Sequence, residues 1–134
     1  LVCGSGAGAA LAPHFARLFT GRFERERPPL AAVALGVRAA QEVRALGLPG
    51  DVLLYIDDAD DGHTTVISAA QAKDMTIVVL AGRSAQAFGE LLAETDVLVA
   101  VPHERGARVT ELQLLVIHCL CDAVDYQLMG EQES

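Results

Sequence analysis

The sequence predicts an α/β protein, a three-layer sandwich in which a parallel sheet of about five strands is flanked by helices. Three observations carry this. Largely apolar runs recur at Val52 to Ile56 and Met75 to Leu80, of the kind that marks strands buried on both faces, and Asp96 to Val101 reads as the last strand. Segments with apolar residues at helical spacing lie between them. The chain has 134 residues, 51% hydrophobic and 21% charged, which is the size and composition of one domain with a real core.

Taken in order, Leu1 to Cys3 end a strand and lead through the glycine-rich turn GSGAGAA into ALAPHFARLFT, with Leu11, Phe15, Leu18 and Phe19 on one helical face. Pro13 suits this helix if it lies in the first turn, where its missing N–H has no partner to lose. The mixed-charge segment RFERERPP follows, and then LAAVAL, Leu30 to Leu35, a further candidate strand. Val37 to Leu46 reads as a helix that Gly47 and Pro49 end. After the strand at 52–56 come a helix over Thr64 to Lys73, the strand from Met75, a helix over Ser84 to Glu94 and the last strand from Asp96. The final helix, about Ala107 to Met129, carries an apolar stripe of Val109, Leu112, Leu115, Val116, Cys119, Leu120, Ala123 and Val124. Leu114, Ile117, Cys121 and Leu128 spread apolar character round its other sides, so a second subunit is expected to cover part of it.

Composition narrows the function. A net charge of -8 disfavours a nucleic-acid surface, because the one basic cluster alternates Arg22, Arg25 and Arg27 with Glu24 and Glu26. No apolar run approaches the roughly 20 residues of a membrane span. Cys3, Cys119 and Cys121 are odd in number and sit in apolar contexts, the pattern of buried thiols in a reducing, cytoplasmic protein.

The stretch most able to carry function is GDVLLYIDDADDGH, Gly50 to His63, a buried strand that stops in four aspartates before a helix. Open α/β sheets bind ligands outside the carboxyl ends of their strands. The aspartates can solvate the loop and cap the following helix, hold a divalent cation, or face a basic protein partner. An EF-hand does not fit, since Ala59 and Ser68 stand where it needs ligands. The glycine-rich turn offers backbone N–H groups to an anion, but its GxGxG spacing is not the dinucleotide pattern.

Through VCGSGAG, HFARLFTGRFERERPPLAAVAL, GDVLL and RVTELQLLVIHCLCDAVD, the chain resembles the SIS (sugar isomerase) domain family, a flavodoxin-like fold. The likeness is greatest to its phosphoheptose isomerase branch and to the related DnaA-initiator-associating branch. The resemblance implies a single SIS domain over residues 1–134, with an N-terminal helix and an internal segment that belong to a longer protein. It also implies a hydroxyl-rich phosphate loop after the strand, where Asp57, Asp58, Ala59, Asp60, Asp61 and Gly62 stand, and a serine where Gly8 stands. The candidate ligand loop is therefore Ser5, Gly6, Gly8, Asp57, Asp58, Asp60, Asp61 and Gly62. A carboxylate about 4 Å from a phosphate charge costs about 4 kcal/mol at an effective dielectric near 20, half of the ~8 kcal/mol of a micromolar affinity. These residues are thus expected to repel a phosphosugar.

The resemblance further implies a metal and acid/base centre of two histidines, a glutamate and a glutamine. His14 and His118 match the histidines, while Leu18 and Thr110 stand in the other two places. No catalytic residue and no metal ligand is expected on this reading, His14 and His118 being relics or packed core histidines, and no cofactor, with zinc the alternative. The function expected is that of a non-catalytic, homodimeric or homotetrameric module binding the replication initiator DnaA, without direct contact to nucleic acid or membrane. The alternative is a phosphoheptose isomerase acting on sedoheptulose 7-phosphate in lipopolysaccharide heptose synthesis.

Overall fold

The computed structural model describes residues 1–58, 63–83 and 85–130. Four strands, β1 (Val2–Gly4), β2 (Val52–Ile56), β3 (Thr76–Ala81) and β4 (Val97–Ala100), form one sheet in the order β1-β2-β3-β4. Every pairing is parallel, in registers such as Gly4 with Ile56, Ile56 with Leu80 and Ala81 with Ala100. Four helices accompany them: α1 (Ala7–Thr20), α2 (Ala39–Leu46), α3 (His63–Ala72) and α4 (Gly106–Met129).

Alternation along the strands separates two cores. Leu53, Tyr55, Ile77 and Val79 face Val43 of α2 and Val66, Ile67 and Ala70 of α3, with Phe88 completing the cluster. Leu54, Ile56 and Leu80 face Ala12 and Phe15 of α1 and Ile117 and Cys121 of α4. The sheet lies between two helical layers, so the three-layer α/β expectation holds.

Several elements differ from the sequence reading. Residues 30–35 form no strand of their own; Ala34 makes one bridge to Val2, flanked by the bonds Val2 N–H to Val33 O at 2.9 Å and Leu35 N–H to Val2 O at 2.7 Å. Pro28 and Pro29 precede this stretch and three of its six residues are alanine, which gives little side chain to pack on a sheet edge. The helix expected over 84–94 is reduced to a 3-10 turn at Ala85–Phe88, because Gly89 interrupts it and Asp96 turns back to accept from Ala93 and Ile77 N–H groups at 2.9 Å. Pro13 lies well inside α1, whose first residue is Ala7, and not in its first turn.

The buried row of α4 is Val109, Gln113, Ile117, Cys121 and Asp125, one residue every fourth position. It is not the stripe expected: Leu112 and Leu115 are 42% and 57% exposed, and Cys119 is exposed while Cys3 and Cys121 are buried. Asp125 is tolerated because Arg27, its side chain 0% exposed, donates to its Oδ1 at 2.6 Å. The same guanidinium donates to the carbonyls of Leu18, Phe19 and Gly21 at 2.6, 2.8 and 2.9 Å, closing the C-terminal end of α1.

Among the described residues α4 alone has the length and apolarity to cross a membrane by composition. Its buried row accounts for a small share of that apolarity, since 22% of the apolar window is buried and Leu112, Leu115 and Leu128 are exposed.

Candidate functional site at the carboxyl ends of β1 and β2

The chain leaves β1 toward the 34 bridge on its outer side, whereas β2 sits on the inner side and leads on to β3. The connections diverge between β1 and β2, and their carboxyl ends open the crevice where such sheets take ligands. Four side chains meet there. Ser5 follows β1, Asp57 and Asp58 follow β2, and Gln113 comes down from α4.

Backbone contacts hold the crevice closed at its base. Ser5 N–H donates to Ile56 O at 3.0 Å, and Asp57 N–H to Leu80 O at 2.8 Å. A β-carbon on Gly8 would run into the Ile56 carbonyl, so the glycine is what lets α1 approach β2. Gly6 holds φ +53, a left-handed conformation suited to glycine, and a β-carbon there would lie 2.9 Å from Asp58 Oδ2.

Asp57 and Asp58 do different work from the loop solvation and capping of α3 expected of them. Asp58 accepts from Ala7 N–H at 3.2 Å, so its carboxylate caps α1 and sits at the anion-attracting end of that helix. Its own N–H donates to Ser5 Oγ at 3.1 Å. Asp57 is 0% exposed; its Oδ1 receives a long 3.4 Å bond from Ser5 Oγ and its Oδ2 has no partner. Asp60, Asp61 and Gly62 lie outside the described residues.

Gln113, also 0% exposed, donates through Nε2 to Asp57 O at 2.8 Å and Leu80 O at 3.2 Å, leaving Oε1 without a partner. Sequence reasoning missed it. The signal was there: it is four residues from both Val109 and Ile117, a polar residue within a buried row.

Two turns further along α1, about 10 Å from its start, His14 meets His118 of α4 with 3.0 Å between their Nε2 atoms. Phe23 stacks on the His118 ring at 5.2 Å. Burial, then the neighbouring His118 and Arg17, push the His14 pKa below its usual 6.5. In a neutral pair one imidazole donates and the other accepts. The two histidines, far apart in sequence, are thus in contact.

A zinc centre does not fit these residues. His14 and His118 supply two nitrogens, Leu18 and Thr110 lie on the same helix faces one and two turns away without a matching donor, and among the described residues no three His, Cys, Asp or Glu side chains converge. Catalytic zinc takes three protein ligands.

No protein-family model matches the chain. A phosphoheptose isomerase of Methylibium petroleiphilum is 49% identical over 151 residues, covering 99% of this chain and 76% of that protein; one from Azoarcus sp. is 43% identical, covering 99% and 77%. Among solved structures, a phosphoheptose isomerase from Francisella tularensis superposes with a TM-score of 0.85 at 31% identity, and one from Neisseria gonorrhoeae with 0.79 at 34%, each covering 92% of this chain and 74% of that one. The fold is that of the SIS domain. These relatives overturn the expectation of a non-catalytic module for the replication initiator, since those matched along nearly the whole chain bear the name of the isomerase. The expectation weighed the changed positions, the aspartates from Asp57 to Asp61 with Gly8, Leu18 and Thr110, above the remainder of the chain. On identity and coverage, the chain belongs to the phosphoheptose isomerase family.

Proposed function

We propose that the protein is a phosphoheptose isomerase, interconverting sedoheptulose 7-phosphate and an aldoheptose 7-phosphate in the cytoplasm as a step toward lipopolysaccharide heptose. The observation that carries this reading is the 49% identity to a phosphoheptose isomerase across 99% of the chain.

Ketose to aldose isomerisation moves a proton between neighbouring carbons and needs one group to take it and one to return it. His14, with its pKa held below the usual histidine value, is neutral at pH 7 and can take a proton; His118, 3.0 Å away, is the second imidazole placed beside it to meet the substrate. The substrate enters by parting the pair, so that each imidazole exchanges its neighbour for a substrate oxygen or carbon-bound hydrogen. At the other end of α1 the phosphate approaches the helix N-terminus, where it competes with Asp58 for Ala7 N–H.

The exposed apolar residues of α4, Leu112, Leu115 and Leu128, support assembly as a homodimer or homotetramer.

The test is turnover of sedoheptulose 7-phosphate by the purified protein and by His14→Asn and His118→Asn. Turnover that falls at least ~100-fold in either variant supports the reading, on the usual scale of general acid–base contributions. Turnover unchanged in both would remove the pair from the mechanism.

A further inference from the structure

We propose that the carboxyl end of β2 binds a hard divalent cation of the magnesium or calcium class, held by Asp57, Asp58 and Gln113. The starting point is a buried carboxyl group with no basic partner. Asp57 is wholly buried, its Oδ2 has no hydrogen-bond partner, and Ser5 reaches its Oδ1 only at 3.4 Å. The ion pairs among the described residues join Arg22 to Glu26, Arg27 to Asp125 and Arg108 to Glu111, and none reaches Asp57 or Asp58. A buried, uncompensated carboxylate is among the least favourable groups in a protein interior.

A second and independent observation comes from α4. Gln113 is wholly buried, and its amide cannot be turned round, because Nε2 donates to two carbonyls, those of Asp57 and Leu80. Its Oε1 is therefore fixed as a free acceptor beside the same strand end. Asp58 adds a second carboxylate: its Oδ2 takes one N–H, from Ala7, and its Oδ1 points toward the start of α4, 4.0 Å from where a β-carbon on Gly106 would lie. Asp57 Oδ2 and Gln113 Oε1 are thus buried acceptors with no donor, one just past β2 and the other on a side chain bonded to the Asp57 carbonyl. Oxygen ligands of mixed carboxylate and amide type are those that magnesium and calcium take. A water molecule would satisfy the lone pairs without offsetting the charge.

The site also bears on substrate, and this step rests on the isomerase reading. Two carboxylates repel a phosphate; a divalent cation between them offsets both and offers the phosphate a ligand position, as magnesium does when it joins one or two carboxylates to a substrate phosphate. Phosphosugar binding then requires the cation.

The experiment is titration of the EDTA-treated protein with magnesium chloride and calcium chloride, followed by calorimetry and thermal denaturation, beside Asp57→Asn and Asp58→Asn. The expected result is saturable binding and a raised Tm in the unaltered protein, weakened about tenfold or more by either substitution, since affinity follows the number of ligand charges. Asp57→Asn removes the buried charge, so it is expected to fold and to be at least as stable as the unaltered protein in EDTA. Absence of saturation by about 10 mM, beyond the weakest calcium modules, or equal responses in all three proteins, overturns the site. Turnover of sedoheptulose 7-phosphate is measured separately in EDTA and in magnesium. Full turnover in EDTA overturns the link to phosphate and leaves the isomerase reading intact; cation binding without turnover keeps the site and counts against that reading.

Discussion

Replacing Asp125 with alanine removes the counter-charge of a guanidinium whose side chain is 0% exposed. Arg27 would keep its bonds to the Leu18, Phe19 and Gly21 carbonyls but would hold a full charge in the interior with its Nε donor unmet. Removing one partner of a buried pair costs about 3–5 kcal/mol. For a chain of this size each kcal/mol moves Tm by roughly 3–5 °C, so a fall of about 10–20 °C is expected. Arg27→Met is expected to cost at least as much, because three helix-end carbonyls lose their donor and Asp125, whose Oδ2 already lacks a partner, is left bare. The double variant Arg27→Met with Asp125→Leu recovers the part of the loss due to the bare aspartate, since an apolar pair carries no charge-desolvation cost, but not the part due to the three carbonyls. Urea and thermal denaturation of the three proteins measure this. A loss below about 1 kcal/mol for Asp125→Ala, the range of an exposed pair, would refute the burial argument.

Three further outcomes are expected. The acid limb of the pH–rate profile falls below the usual histidine value of 6.5, because the folded His14 pKa is lowered; by the same linkage the unfolded chain binds more protons, so this group's contribution to stability is complete above pH 6.5 and is lost as pH falls toward the folded pKa. Gly8→Ser, which restores the hydroxyl that the family resemblance implies, forces a β-carbon onto the Ile56 carbonyl. It destabilises by about 1–3 kcal/mol in a denaturant titration, and fails to raise phosphosugar affinity. A maleimide reagent at neutral pH labels the exposed Cys119 and spares Cys3 and Cys121, whose thiols burial pushes up to about 12 and about 11.

The parallel sheet was legible because β2 and β3 are apolar on both faces and runs such as VLLYI have the length of a strand and not of an ordinary helix. The stretch at 30–35 misled because its alanines carry apolar character without the bulk that holds a strand in place. In α4 apolar residues outnumber one face, so composition could not say which row is buried. The row is set by Gln113 and Asp125, whose partners are the Asp57 and Leu80 carbonyls and Arg27, and a polar residue in a helix does not announce distant partners. The site divides in the same way. Ser5, Asp57 and Asp58 could be placed at strand ends from the apolar runs alone. That Asp58 caps α1 and not the helix it precedes follows from the register that sets Gly4 beside Ile56, which only the paired strands define. His14 and His118 are 104 residues apart and met in the fold; only a family likeness linked them beforehand.

The claim that the protein is an isomerase is tested most directly by following sedoheptulose 7-phosphate by NMR in deuterated buffer with magnesium present. The account predicts growth of aldose signals, with solvent deuterium entering the carbon that receives the proton, and loss of both effects in His14→Asn. An unchanged ketose spectrum, recorded while the Methylibium petroleiphilum relative converts the same sample, would contradict it.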